Sequence, residues 1–319
     1  MPTTLKTVAQ ACGVDVSTVS RALRGDPRVA VETVERVRKA AEKLGYRPNL
    51  GARALQAGTT RTVWCLVGSL DIAFERSLAQ GAAVAVEAAG YDLLLATHRD
   101  DDQAYERLLS RLDQGVADAA VIIPGNRRHP RSATLTALLE RRFPLVFLDR
   151  SPGGAGIPTV STDNAGATVE LVRRLAAAGA KRLAVLIGDD NDVATVRREA
   201  ALREAARLGL SASRNPDAAW PAAGSGCLGI ISTAQGTVHH FCAEHAALLR
   251  TVELRFAVFD TWVGEPHPAP LALVAVQDFA GMARRAAERV LAAVADPAAW
   301  SPAVEHLAPL RIDEIRARF

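Results

Sequence analysis

LKTVAQACGVDVSTVSRALR, residues 5–24, sets two short apolar-patterned segments on either side of Gly13. The spacing predicts helices over 5–11 and 16–24. Ala9 falls where two such helices would cross and only a small side chain fits. Gly13 falls at the turn, where positive φ costs a glycine little. Val14 and Val19 then point inward. Asp15 is expected to cap the second helix, its carboxylate taking the amides near Thr18 and its charge suiting the positive helix end. Val16, Ser17, Ser20 and Arg21 are left on the outer, leading face.

That face has the dimensions and chemistry to enter a DNA major groove, which is wide enough for a helix. Val16 and Ser17 would meet base edges, and Arg21 would fork onto a guanine or clamp a phosphate. Thr18 and Ser20 suit phosphate oxygens. A small bundle with a merely solvated polar face is the plain alternative. It accounts for neither Ala, Gly and Val at the three frame positions nor the charge. The net charge is +3, but residues 1–62 carry 11 Lys+Arg against 5 Asp+Glu, and the remainder is mildly acidic. A basic head on an acidic body points to a polyanion partner for the head alone.

Beyond the head, 319 residues allow two or three domains. A third helix is predicted over 31–44, with Val34, Val37, Ala41 and Leu44 on one face and Gly45 ending it. Pro48 stops any incoming helix, Asn49 can cap a new one, and Leu50–Ala57 has room for two turns. From Thr62 apolar runs alternate with amphipathic stretches: TVWCLVG, YDLLLAT, AAVIIP, PLVFLD, RLAVLI, CLGIIST, RFAVFD and LALVAV. Eight or nine such strands between helices predict parallel sheets covered on both faces. The four cysteines have no CxxC spacing, the N-terminus has no apolar leader, and no run is long enough to span a membrane. The expectation is a cytoplasmic chain with no membrane partner, no metal and no cofactor.

LKTVAQACGVDVSTVSRALRGDPRVAVETVERVRKAAEKLGYRPNLGARALQAGTT closely resembles the DNA-binding head and hinge of the LacI/GalR (lac-repressor) family of bacterial transcription regulators. Val8, Ala9, Gly13, Val14, Thr18, Val19, Ser20, Arg21, Leu23 and Gly25 match its first motif. Leu44, Gly45, Tyr46, Pro48, Asn49, Ala52, Arg53 and Leu55 match its second. The resemblance implies a DNA-binding set of Val16, Ser17, Thr18, Ser20, Arg21, Arg24, Tyr46, Asn49, Ala52, Arg53 and Leu55. It also implies a hinge helix that folds on operator DNA, with Leu55 wedged between base steps. The implied domains are a helix-turn-helix head at 1–47, a hinge at 48–61, and a two-lobed periplasmic-binding-protein-like α/β body at 62–319. Lobe one is placed at about 62–160 plus 278–319, and lobe two at about 161–277. The implied partners are operator double-stranded DNA, a second copy (a dimer or a tetramer) and a small effector, sugar-like by resemblance.

In the body, Asp149 and Asp260 each end an apolar strand, as a cleft site requires. The resemblance adds Phe74 as an aromatic wall, Arg198 as the pocket arginine, Trp220 as a second aromatic and Gln277 at a crossover. The chain also departs from the family. The helix usual between Trp220 and CLGIIST has no room, no Asn-Asp pair follows that strand, Ser69 replaces an Asp and Glu75 a Phe. GSGCLG at 224–229 has GxGxxG spacing but opens a strand, which argues against a dinucleotide site. His239, Cys242 and His245 allow a metal only if one helix carries all three. No catalytic triad, carboxylate pair or P-loop is present. A sugar-binding protein with a disused head is the alternative function.

Overall fold

The structure, a computed structural model, describes residues 3–47, 50–124, 131–152, 156–188, 191–214, 226–233, 235–244, 252–260 and 271–316, apart from the side chains of residues 50, 53, 56, 235 and 236. The chain divides into two units, Met1–Thr60 and Arg61–Phe319.

The first unit is helical: α1 (Leu5–Cys12), α2 (Val16–Leu23), α3 (Val31–Lys43) and α4 (Leu50–Ala57). Val8, Val19, Ala22 and Val37 are fully buried where α1, α2 and α3 meet, with Ala9 and Ala41 beside them. Alanine at position 9 lets the helices approach, as its place in the motif requires. Gly45 ends α3 at a φ of +63°, and Val34 and Leu44 pack on the same core.

The second unit holds two six-stranded sheets. In chain order its elements are β1 (Thr62–Val67), α5 (Ala73–Ala88), β2 (Asp92–Thr97), α6 (Asp102–Asp113), β3 (Ala119–Ile122), α7 (Ala133–Glu140), β4 (Leu145–Leu148) and β5 (Thr159–Thr162). There follow α8 (Asn164–Ala177), β6 (Ala180–Leu186), α9 (Asp192–Arg207), β7 (Ser211–Ser213), β8 (Cys227–Ser232), α10 (Gln235–Glu244), β9 (Leu254–Phe259), β10 (Leu271–Val276), α11 (Phe279–Ala295), β11 (Val304–Leu307) and β12 (Arg311–Arg316). The first sheet runs β11-β5-β4-β3-β1-β2 and the second β12-β10-β9-β8-β6-β7. All pairings are parallel except that of β12 with β10.

Both faces of the first sheet are covered, by α5 and α11 on one side and by α6 and α7 on the other. Helices α8 and α9 cover one face of the second sheet, and α10 packs on the other. That double covering is why the strands read as continuous apolar runs. The α5–α11 packing is close. A Cβ on Gly81 would stand 2.9 Å from the Ala283 Cβ. Gly81→Val is expected to cost about 1–3 kcal/mol through overpacking, as measured by urea unfolding of the full chain.

Two corrections to the expectations arise here. The second unit has twelve described strands rather than eight or nine. The tail after 278 does not all stay in lobe one: Arg311–Arg316 crosses over and pairs antiparallel with Leu271–Val276. As the sequence reading has it, no Asn-Asp pair follows β8, and α10 opens there without one. The segment between Trp220 and β8, where a helix is expected to be missing, lies outside the described residues.

The chain passes between the lobes three times: after β5, after β10, and between β11 and β12. The crossings are tied together. The Asp163 amide donates to the Leu307 carbonyl at 2.7 Å, and the Leu310 amide to the Val276 carbonyl at 2.9 Å. Asp163 and Asp278 each cap the helix that follows, accepting the Gly166 and Gly281 amides at 2.9 and 2.8 Å. The first two crossings therefore hand their strands straight to capped helices, and the third leads from β11 into β12.

Candidate functional site

In the first unit, Gly13 takes a φ of +64°, and the Val14 amide reaches back to the Ala9 carbonyl at 3.2 Å. This αL turn closes α1 and aims α2. Burial of Val19 and Ala22 fixes the rotation of α2. What remains outside is Val16 (40% exposed), Ser17, Arg21 and Arg24, with Thr18 and Ser20 half-buried beside them. One face of α2 thus carries an apolar contact, hydroxyls and two guanidinium groups.

Asp15 is the N-cap residue, but its carboxylate accepts no capping hydrogen bond. The expected side-chain cap is therefore corrected: Asp15 has extended backbone and is exposed, so water solvates it as readily as the helix amides do. After α2, Asp26 accepts from the Arg28 amide at 3.0 Å and from its guanidinium at 2.6 Å. Arg28 holds the Asp26 carboxyl well below the usual carboxylate range.

Tyr46 is half-buried against the head's core. Leu50–Ala57 is helical, with Ala52 exposed and Leu55 87% exposed. Asn49 and the Arg53 side chain lie outside the described residues.

In the second unit, a cleft of about 400 Å³ opens off the carboxyl ends of strands from both lobes. Ile72 and Phe74 enter it from the start of α5, and Asp149 and Arg150 from the end of β4. Lobe two supplies Asn191, Val193, Ala194 and Arg197 from α9, with Thr233, Thr237, Asp260 and Gln277. Asp149 and Asp260 both take positive φ, +66° and +77°. Aspartate tolerates this conformation better than most residues. Strain of this kind gathers at binding sites.

The polar groups are hydrogen-bonded among themselves. Arg150 Nε donates to Asp149 at 3.1 Å, and its guanidinium lies 5.2 Å from the Phe74 ring centre. Arg197 lies 3.5 Å from the Phe259 ring centre and donates to Asn164 Oδ1 at 2.7 Å and Gln277 Oε1 at 3.4 Å. Gln277 also accepts from Thr162 at 2.5 Å and donates to Asp260. Gln277 therefore joins two inter-lobe crossings to the cleft floor. Burial pushes the Asp260 carboxyl up; Arg197, Gln277 and Arg150 oppose the rise, and Asp149 adds to it.

The structure brings together Phe74, Asp149, Asp260 and Gln277 from the sequence-based set. It does not bring Arg198, which turns away and donates to the Ile187 carbonyl at 2.8 Å. The cleft arginine is its neighbour, Arg197. One helical position is about 100° of rotation, so spacing alone does not separate the two. Trp220 lies outside the described residues. Asn191, Thr233 and Thr237 are missed by sequence reading because a lone Asn or Thr after a strand has no pattern of its own. Of the other motifs, Cys227 opens strand β8 as expected. His239 and Cys242 lie on α10, and His245 is outside the described residues. Among the described residues no group of three His, Cys, Asp or Glu side chains forms a metal cage.

Known proteins carry the same two-part organisation. The family described as "Bacterial regulatory proteins, lacI family" matches residues 4–49. "Periplasmic binding proteins and sugar binding domain of LacI family" matches residues 60–213. The chain belongs to the LacI family. Both LacI-family matches end before residue 214.

Among LacI-family relatives, the HTH-type transcriptional regulator AglR of Rhizobium meliloti is 35% identical over 218 residues, covering 66% of this chain and 60% of that protein. The maltose regulon regulatory protein MalI of Escherichia coli is 34% identical over 196 residues, covering 61% of this chain and 56% of that one. The chain thus spans about 60% of the length of these curated relatives. The fold is that of the lac repressor dimer bound to operator and the anti-inducer ONPF. That likeness has a TM-score of 0.76 at 17% identity, covering 99% of this chain and 98% of that one. A CelR–cellobiose complex is similar at a TM-score of 0.62 and 22% identity, covering 98% of each chain.

Proposed function

We propose that this chain is a sequence-specific, DNA-binding transcription regulator, a homodimeric repressor controlled by a small ligand in the cleft of its body. The observation that carries the reading is the outer face of α2. Val16, Ser17 and Arg21 stand exposed on a helix whose rotation is fixed from behind by Val19 and Ala22. The basic balance of the head supports it, as do the regulators among its relatives.

Two copies are needed to read a pseudo-palindrome. A face for the second copy is available at the β2 edge, where Leu94, Leu95 and, on α5, Val84 are exposed. An apolar edge of this kind is ordinarily covered. In the hinge, an isolated eight-residue helix is marginal in water. Leu50–Ala57 therefore gains from ordering against DNA, with exposed Leu55 as the wedge between base steps.

The described cleft side chains carry two carboxylates and two guanidinium groups, and so no net charge. Phe74 offers an aromatic face, and Thr233, Thr237 and Asn191 offer hydrogen-bonding groups. This favours an uncharged, polyhydroxylated ligand over a phosphorylated one. The saccharide in the CelR complex and the maltose regulon of MalI agree with that class. A cytoplasmic site of action follows from the DNA partner. No described helix is long and apolar enough to cross a membrane.

The test is selection of duplexes from a randomised pool by the full-length chain, followed by anisotropy titration at several salt concentrations. An enriched pseudo-palindrome is expected, with affinity falling by roughly 10³–10⁵ between low and moderate salt for six to ten phosphate contacts. No enrichment, or an affinity indifferent to salt, would reject the reading.

A further inference from the structure

Lobe one buries a second polar cluster that the cleft does not use. Glu75, in the first turn of α5, is fully buried. Its Oε2 accepts the Ser69 amide at 2.9 Å. Its Oε1 has no hydrogen-bond partner among the described residues, nor has Asp100 Oδ1. Both oxygens face one point: a Cβ on Gly68 would stand 3.2 Å from Glu75 Oε1 and 3.0 Å from Asp100 Oδ1. The approach is built. Arg99 and Asp100 take φ values of +53° and +52°, and the His98 and Arg99 amides donate to the Val67 and Gly68 carbonyls, each at 2.9 Å. With both carboxyls ionised, two buried acceptors would be left without a donor and like charges would be set together.

We propose that buried Glu75 keeps its proton in the folded chain beside Asp100, and that this proton keeps the loop from Gly68 to Ile72, which leads into Phe74, in place beside the cleft. The pair resembles any two carboxyls forced close: one keeps its proton so that the other can ionise. Asp100 is partly exposed on its outer side. The loop is held to the pair through the Ser69 amide. Its far end carries Ile72 and Phe74, the latter facing Arg150.

Arg150, from the end of β4, is paired with Asp149. His98 Nδ1 stands 3.9 Å from Asp100 Oδ1, and its Nε2 is hydrogen-bonded with the Ile123 carbonyl at 3.1 Å. A carbonyl only accepts, so Nε2 carries the ring proton. Tyr105 of α6 stacks edge-on against His98. On β1, burial and the nearby Glu75 push the Cys65 thiol up to about 12. Arg76 turns away to the Leu70 carbonyl at 2.6 Å, and α11 presents uncharged Phe279 to Phe74. Burial pushes the Glu75 carboxyl up; the Ser69 amide, Arg150 and the Gly68 amide oppose the rise, and Asp100 adds to it.

A carboxyl raised on folding contributes stability that is full at low pH and is lost as pH rises through its folded value. Wild type, Glu75→Gln and Asp100→Asn are therefore compared as full-length chains by thermal unfolding from about pH 5 to about pH 9. The wild type should lose stability with rising pH more steeply than E75Q, which should melt higher at the alkaline end by roughly 2–4 °C. The infrared difference between wild type and E75Q should show a protonated-carboxyl stretch at acid to neutral pH. That band should bleach on raising the pH, and at a lower pH in D100N, where the repelling charge is gone. At alkaline pH the peptide covering 68–74 should exchange amide hydrogens faster in wild type than in E75Q.

An E75Q that melts lower than wild type at alkaline pH would overturn the proposal, since it would mean an ionised Glu75 paired with Arg150. Absence of the infrared band would do the same, and would point to a cation between the carboxylates. Should E75Q fail to fold, the band is read in the acid-minus-alkaline difference spectra of wild type and D100N, and its shift between them still decides. Only the link to the cleft rests on the effector reading. No ligand or DNA enters these measurements, so failure here is separate from failure of that reading.

Discussion

Arg21→Ala is expected to weaken binding to the selected operator by about 1–3 kcal/mol, the worth of one good bidentate base contact. Binding to unrelated duplex should fall much less, and the preference for one base should relax. The reason lies in how α2 is seated. Val19 and Ala22 are fully buried, so the helix cannot rotate to substitute a neighbour. Arg21 stands on the opposite face, one turn on from Ser17. Arg24, at the helix end, follows it by three residues and is the natural phosphate partner. Fluorescence anisotropy with matched specific and non-specific duplexes, at fixed salt, separates the two roles. Equal losses on both duplexes would assign Arg21 to a phosphate, and specificity would then rest on Val16 and Ser17.

Arg197→Met should be the most damaging change in the body, costing about 3–5 kcal/mol, the range found when one partner of a buried charged set is removed. Arg197 is buried and donates to Asn164 and Gln277 while lying flat on Phe259. Its loss strands the Asn164 oxygen and removes a favourable charge from Asp260, which burial already disfavours as an anion. Gln277 ties this set to Thr162 at the first inter-lobe crossing, so the damage should extend beyond the cleft wall. The neighbouring Arg198→Met is the control. It breaks the bond to the Ile187 carbonyl on a half-exposed side chain, and should cost about 1 kcal/mol. Urea unfolding of the two variants against wild type measures the difference. If Arg198 proved the costlier residue, the assignment of the cleft arginine would be wrong.

The strands and helices that are missed show where sequence reading lost its signal. The eight apolar runs all form strands; seven are largely buried under helices, and YDLLLAT, the exposed edge strand β2, is legible by its apolar content alone. Strands β7, β11 and β12 are edge strands. Their alternating exposed and half-covered residues, as in RIDEIR, read as loop or helix surface. Strand β5 is interior and fully buried, yet its sequence is TVST. Two of its three hydroxyls are spent on partners distant in sequence: Thr162 on Gln277 and Ser161 on His306. A buried hydroxyl of this kind has no periodic trace, since what makes it tolerable is a partner more than a hundred residues away.

By itself, the amino-acid order determined the helical head, down to the αL turn at Gly13 and the inward set of Val14, Val19 and Val37. It also determined the alternating α/β character of the body. These depend on contacts close along the chain and on burial patterns that repeat with a fixed period. Only the tertiary structure decided that Arg197 rather than Arg198 enters the cleft, that the last strand joins the second sheet, and that Glu75 meets Asp100 over Gly68. Each of those turns on rotations of a few tens of degrees, or on pairing between segments far apart in the chain. Local periodicity contains neither.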